Sequence, residues 1–496
     1  MKNNKYSISL LLVIVMTLGC KKFVDYNPHE DYQITADDFF KSANDYQKAL
    51  VATYSPLQWI WADVVIGDVA SDNSVSGGEN ATDQVGFQQI DDYQIVTNNS
   101  YLTEAWKSCY EGINRANYLQ ENKTKLDFAG KETLYGEVYF LRAYYYFELV
   151  RMFGDVPLFT EKRLSVSESA KFQRASKADV YKQIEIDLNA AINVLPTSVA
   201  QKGRITKYAA QALLGKVLLY QNKFDAAAAM LENVLNGPFS LVNNFGNIFL
   251  QSGENGTESV FEIQYSNASP FYDWSNPGRG QGNLAVQVCG IRNLTGDSPY
   301  GQGWSTNLPT ANLASAFTAG DKRKDVTILD IEVYKTANPQ FNISYLTAPY
   351  KNTGLYNQKY HPRKGETSGQ VELNYLNNFR TIRYADVLLM AAEANDRATT
   401  PNDVKAQLYL NKVRRRAFAV NDASKDITAT GTALRQAIWD ERRLEFAMEG
   451  DRFFDLVRTG QAATKITGFQ TGKNELFPIP QQEVDISGLK QNPGYN

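Results

Sequence analysis

Residues 131–152 carry apolar side chains on nearly every face of a helix. Leu134, Val138, Leu141, Tyr145 and Leu149 recur at helical spacing, and Phe140, Tyr144 and Phe147 cover a second face. Such a helix has no side to give to water, so it must lie between neighbours. Arg142 and Glu148 interrupt the run and are expected to be paired inside, because an isolated buried charge is not tolerated.

The same period returns along the chain. Trp106, Tyr110, Ile113 and Asn117 continue one face of a helix that begins near Thr103, and Val180, Ile184, Leu188, Ile192 and Leu195 mark another, closed by Pro196. Thr206 is placed to cap a helix ending at Tyr220, and Asp225 one ending at Leu235. Gly215, Ala227 and Leu231 match the small and apolar positions of a tetratricopeptide repeat, with Pro238 one place from its usual terminal proline. Residues 383–395 and 404–418 read as a further pair, so the expected fold is mainly α, an array of tetratricopeptide-like helical hairpins. Earlier helices are expected behind a Thr35 cap and over residues 43–58.

Other stretches break the period. Residues 67–99 are rich in Gly, Asn, Asp and Ser and read as loop with short strands. Residues 258–265 alternate as a short strand, and residues 266–309 are crowded with Gly, Asn and Ser yet hold Phe271, Tyr272, Trp274, Tyr300 and Trp304. Long irregular segments of a compact protein are usually functional or disordered, and large aromatics argue against disorder. Residues 326–371 are loop-like, with Tyr334, Tyr345, Tyr350, Tyr356 and Tyr360 as further exposed rings. The expected organisation is a signal segment (1–19), a helical region (20–235), a large irregular, loop-rich ligand-binding lobe with short strands (236–375) and a second helical region (376–496).

Residues 438–460 mix dense charge with rings. Glu441, Glu445 and Glu449 lie four apart, Arg442 and Arg443 reach the same flank, and Trp439, Phe446, Phe453 and Phe454 stand among them. These charges are expected to be partly buried and mutually paired on a helix that stops at Gly450. Nothing nearby divides acid and base roles, so neither Glu441 nor Glu445 reads as catalytic. The order Glu, Arg, Arg, x, Glu, Phe, Ala, x, Glu, Gly, x, Arg, x, x, Asp, Leu, x, Arg resembles the closing signature of the SusD/RagB family, nutrient-binding lipoproteins of Gram-negative outer membranes. Residues 140–147 with 153–158, and Phe477, Pro478, Ile479 and Pro480 with the ending 491–495, resemble further blocks of that family.

At the start of the chain, Lys2 and Lys5 precede an apolar run over residues 8–16, too short to span a bilayer, followed by Thr17, Leu18, Gly19 and Cys20. A cysteine after a small residue looks like a lipobox, with Thr17 where Leu is usual, and Cys20 would carry the acyl chains. Cys109 and Cys289 remain, which excludes a disulfide framework and allows one bridge at most. His29 and His361 have no companion ligands in sequence, which argues against zinc, and a net charge of -3 offers no basic field for nucleic acid.

Sugars present an apolar ring face and a rim of hydroxyls, so a site for them needs flat aromatics beside amides, carboxylates or guanidiniums. The expected platforms are Trp61, Phe87, Tyr272, Trp274 and Trp304, with Asp72, Asn73 and Asn80 as rim partners. Asp72, Ser74, Ser76, Gly77, Asn80 and Asp83 also fall on a calcium-loop template, but Ser stands where two carboxylates are wanted and Asp83 replaces the bidentate Glu, so no cofactor is expected. The family resemblance implies more: a surface lid on a TonB-dependent SusC-like barrel transporter, helical repeats against the barrel and ligand in the irregular lobe, capturing an oligosaccharide without changing it. Ligand would favour the closed lid only by its extra affinity for that state. The alternatives are a peptide-binding lid of the RagB branch, a helical-repeat scaffold without small ligand, and a glycosidase, for which no suitably separated carboxylate pair is found by motif.

Overall fold

Caps and close approaches between small residues set the helical array. The computed structural model, which describes residues 39–495 apart from 165, 270 and 274–279, is mainly helical. In chain order the principal helices are α1 (Ala43–Tyr54), α2 (Ala62–Val69), α3 (Val85–Asp91), α4 (Ser100–Glu121), α5 (Lys131–Phe153), α6 (Lys177–Val194), α7 (Lys207–Tyr220), α8 (Phe224–Leu235), α9 (Leu284–Cys289), α10 (Tyr384–Asp396), α11 (Asp403–Phe418), α12 (Gly431–Glu445) and α13 (Arg452–Arg458). The Asn99 side chain accepts from the first turn of α4, and Thr206 Oγ1 accepts from Ala209 N–H at 3.2 Å to start α7. Helices α1, α4, α5, α6, α7, α8, α10, α11 and α12 then stack in sequence, each on the one before. Gly215 lets α7 and α8 approach, since a Cβ there would press into the Leu231 side chain.

Helix α5 is buried on both flanks, as its composition requires. Its charges are paired, though not with each other: Arg142 grips Asp187 of α6 at 2.8 and 2.7 Å, and Glu148 accepts from Arg151 at 2.7 Å.

The irregular lobe is inserted between α8 and α10. Strands β1 (Ser74–Ser76), β2 (Ser259–Ile263), β3 (Asn307–Pro309), β4 (Ile328–Asp330), β5 (Leu355–Asn357) and β6 (Phe379–Arg383) pair antiparallel as β1 with β3, β2 with β6 and β4 with β5. Ser74 faces Pro309, so the lobe is stitched to the N-terminal part of the chain.

Several expectations give way. Residues 67–99 hold the end of α2 and all of α3 instead of loop alone; α2 is buried at every position and therefore shows no polar face to read. The helix expected to reach Gln58 ends at Tyr54, where Pro56 opens the tighter turn Ser55–Trp59. Asp225 lies inside the first turn of α8, and its carboxylate accepts from Thr399 N–H and Oγ1. Helix α12 ends at Glu445, ahead of Gly450, which turns the chain at φ 88°. Tyr356 and Tyr360 are buried, whereas Tyr334, Tyr345 and Tyr350 are half-buried. Cys109 and Cys289 are buried free thiols. Thr35 and Cys20 lie outside the described residues. Among the described residues no helix is long and apolar enough to cross a membrane.

Candidate functional site

The charged segment 438–460 finds its partners far away in the chain. Fully buried Glu445 is met by Arg323 at 3.1 Å, Arg383 at 2.9 Å and Arg416; Glu449 by Arg383 at 2.8 Å and Lys359 at 2.7 Å; Glu441 by Arg323 at 2.7 Å and Arg414 at 2.9 Å. Burial alone would raise the Glu445 carboxyl, but Arg416, Arg383 and Arg323 outweigh it and hold the group well below the usual range. Burial pushes Lys359 down to about 8 despite Glu449 beside it. On the other flank Arg442 binds Asp386, Asp451 and Asp455. Arg323 and Lys359 belong to the lobe, Asp386 and Arg416 to the array, and Arg383 joins β6 to α10. The segment is a clamp between lobe and array, and it positions the surface they share.

At the same junction α2 crosses the turn before α13 backbone to backbone. A Cβ on Gly67 would overlap the Gly450 carbonyl. Asp68 accepts there from Gly450 N–H at 3.0 Å and Asn307 Nδ2 at 2.8 Å. Burial lifts the Asp68 carboxyl to about 7, the two hydrogen bonds offsetting only part of the rise.

Asn307 opens β3, just after Trp304. Trp304 is half-buried; its N–H donates to the Gln287 carbonyl at 2.9 Å and its carbonyl accepts from Arg292 Nη2 at 3.0 Å. Arg292 reaches across to Asp83 and, at 3.5 Å, to Glu79. Beside Asp83, Gln84 accepts from Tyr101 Oη, and Tyr101 meets the half-buried Trp61 edge-on at 6.0 Å. Contacts therefore run unbroken from Trp61 through Tyr101, Gln84, Asp83 and Arg292 to Trp304. Tyr350 joins them by donating its N–H to the Gly78 carbonyl at 2.8 Å. Beyond Trp304, the Gln287 amide, turned with its oxygen to the indole, accepts from Trp304 Nε1 at 3.2 Å and donates to Tyr375 Oη at 3.3 Å. Asn374 then brackets the Tyr272 backbone at 2.8 and 3.0 Å. Gln84, Ser305 and Lys351, at or beside this run, hold left-handed backbones (φ 49°, 52° and 51°), which non-glycine residues keep only where their surroundings enforce it.

Of the expected platforms, Trp61 and Trp304 stand at the two ends of this run and half-buried Tyr272 lies beyond the second. Phe87 is fully buried and stacked on Tyr101 at 3.6 Å, so its ring is spent on packing. Trp274 lies outside the described residues. Asp72 is an internal ion-pair partner, at 2.7 Å from Arg452 and 3.2 Å from Arg443. Burial opposes its ionisation, yet Arg452 and Arg443 hold the Asp72 carboxyl below its ordinary value. Asn73 is buried and accepts from Arg443 Nε at 2.8 Å. Asn80 is exposed, its oxygen turned to Thr82 N–H at 2.9 Å.

Of the calcium-template residues, Ser74 and Ser76 sit on β1, Asp72 faces arginines, and Asp83 faces Arg292. Arg292, Glu79, Gln84, Tyr101 and Gln287 are not among the candidate contacts read from sequence. Arg292 had a signal, as one of two arginines, with Arg279, in the aromatic-rich stretch 266–309.

A profile described as SusD family matches residues 257–495, and one described as starch-binding associating with outer membrane matches residues 22–219. A solved laminarin binding SusD-like protein superposes with a TM-score of 0.83 at 35% identity, covering 92% of this chain and 100% of that one. The chain belongs to the SusD family. Surface glycan-binding protein A from Bacteroides thetaiotaomicron, solved in complex with laminarihexaose, is 26% identical with a TM-score of 0.78 over 91% of this chain and 99% of that one. SusD-like protein P2 of Formosa agariphila is 26% identical over 537 residues, 99% of this chain and 100% of the relative. In this SusD-like chain the first profile takes in Arg292, Trp304 and the clamp, and the second takes in Trp61 and the loop bearing Asp83.

Proposed function

We propose that this SusD-like protein is a non-catalytic glycan-binding lipoprotein of the outer membrane surface, anchored through Cys20. It captures an oligosaccharide along the run from Trp61 to Trp304 and delivers it, as a lid, to a SusC-like TonB-dependent transporter. The observation that carries the reading is that run itself, in which half-buried indoles flank Arg292, Asp83 and Gln84, in a chain whose solved relatives include a laminarin binder and a laminarihexaose complex. Laminarin-type β-glucan is therefore the first ligand class to offer. Indoles suit the sugar ring faces, and groups set to meet hydroxyls reject analogues that leave them unpaired.

The test is titration calorimetry of the soluble form lacking residues 1–20 against laminarin oligosaccharides, other glycans and oligopeptides. Laminarihexaose should bind, and Trp304→Ala should weaken it by about 2 kcal/mol, roughly 30-fold, the size of an aromatic hot spot. Heat from oligopeptides with silence towards every glycan would move the protein to a peptide-binding role. Release of reducing ends during incubation would refute the non-catalytic reading.

A further inference from the structure

Below Trp61 lies a carboxyl group that the ion-pair networks leave out. Asp63, in the first turn of α2, is 5% exposed, and among the described residues neither carboxylate oxygen has a hydrogen-bond partner. It lines a cavity of about 40 Å³ together with Trp61, Glu148, Arg151, Lys216 and Asp451.

The other charges around that cavity are matched. From α5, Arg151 bonds Glu148 at 2.7 Å and Asp451 at 3.3 Å; from α7, Lys216 bonds Asp451 at 2.8 Å. Glu449 belongs to Lys359 and Arg383, and Arg380 of β6 faces Glu254 at 3.9 Å and donates to the Ile248 and Leu250 carbonyls at 2.9 Å each. The remaining titratable groups facing the site are Tyr144 of α5, Cys109 of α4 and Tyr265 after β2, all held in their neutral forms by burial. Among the described residues no cation is left over for Asp63, and an unpaired ionised carboxylate in such surroundings takes up a proton instead. A polar cavity of this size has room for about three waters at ~10–15 Å³ each.

We propose that this cavity is a hydrated proton-binding site, in which Asp63 is held as the neutral acid and hydrogen-bonds through ordered water. Burial, reinforced by Glu148 and opposed by Arg151, raises the Asp63 carboxyl well above the carboxylate range. The stability that the protonated form contributes is complete below the unfolded carboxylate value and is lost as pH rises through the folded one. Because Trp61 is the cap residue of α2 and lines the same cavity, the proton sits beneath one end of the proposed ligand run. The proton site stands independently of what that run binds.

The test compares wild type with Asp63→Asn, which keeps the shape and the hydrogen bonding to water but cannot ionise. Infrared difference spectra at pH 7 should show a protonated-carboxyl carbonyl band in wild type that Asp63→Asn lacks. Thermal melts from about pH 4 upward should show a difference profile in which the Tm of wild type falls relative to the variant as pH rises, the loss beginning at the unfolded carboxylate value. Taking the difference cancels Lys359, whose titration runs the opposite way. Should Asp63→Asn fail to fold, the band that remains in Asp68→Asn, which removes the other carboxyl titrating near pH 7, decides: it must be present at pH 7 and bleach as pH is raised. An Asp63 that shows only carboxylate bands at pH 7, or parallel pH profiles in the two proteins, would overturn the proposal.

Discussion

Arg383 is the sharpest place to perturb the clamp. Fully buried, it meets Glu258 at 2.7 Å, Glu445 at 2.9 Å and Glu449 at 2.8 Å, so Arg383→Met keeps much of the stem and removes the charge that three carboxylates share. Breaking a buried ion pair from one side costs about 3–5 kcal/mol, because the partner stays buried and uncompensated. Unfolding entropy scales at ~2.1 cal/mol/K per residue, which for this chain is roughly 1 kcal/mol/K, so the expected fall in Tm near neutral pH is about 3–5 °C. The pH dependence carries the sign. In wild type the depressed Glu445 carboxyl contributes stability that is present above the unfolded carboxylate value and lost as pH falls through the folded one. In the variant the orphaned carboxylates can take up a proton, so the gap to wild type should narrow as pH is lowered towards about 5. Calorimetric or circular-dichroism melts of both proteins across that range read this directly. Equal melting at neutral pH, or a gap that stays constant or widens in acid, would refute the reasoning that Arg383 neutralises a buried carboxylate cluster.

Gly67→Ala should destabilise by about 1–3 kcal/mol, the cost of overpacking, although an alanine in an unobstructed helix would stabilise; chemical denaturation at constant m-value reads the sign. Asp68, raised to about 7 from an ordinary 3.8, contributes stability that is complete in acid and lost as pH rises through 7. That is ~4 kcal/mol across the window at 1.36 kcal/mol per unit, and Asp68→Asn should flatten this part of the stability profile. If the two profiles stay parallel between about pH 4 and 8, Asp68 is not the titrating group.

The array was legible because burial on both sides leaves a compositional trace. Helix α5 showed it in its unbroken apolar faces, and α6 in its period closed by Pro196. Helix α2 left no trace, since a short helix buried all round looks like any apolar run. The spacing of Glu441, Glu445 and Glu449 suggested pairing with adjacent arginines, but on folding those carboxylates meet Arg323, Arg383, Arg416 and Lys359. Periodicity fixes which face a charge occupies, and carries no information about which distant segment will cover it. The proposed binding surface was half legible for the same reason. Trp61 and Trp304 stood out as large rings in irregular sequence, but so did Phe87, which packs under Tyr101. Asp72 and Asn73 looked like rim groups until Arg443 and Arg452 arrived from the far end of the chain.

The clamp also bears on modularity. Lengthening or reshaping the loops that bear Trp304 and Arg292 removes none of the carboxylates of residues 441–449, so the proposed recognition surface could be rebuilt at the tips without taking a member from the join. A whole lobe is a different matter. Residues 236–375 transplanted onto another helical array would bring Arg323 and Lys359 with them, two cations that are soluble in the interior only if the recipient presents Glu441, Glu445 and Glu449 at matching heights. Chimeras cut outside the clamp should fold, and those cut through it should need both halves of the charge pattern from one parent.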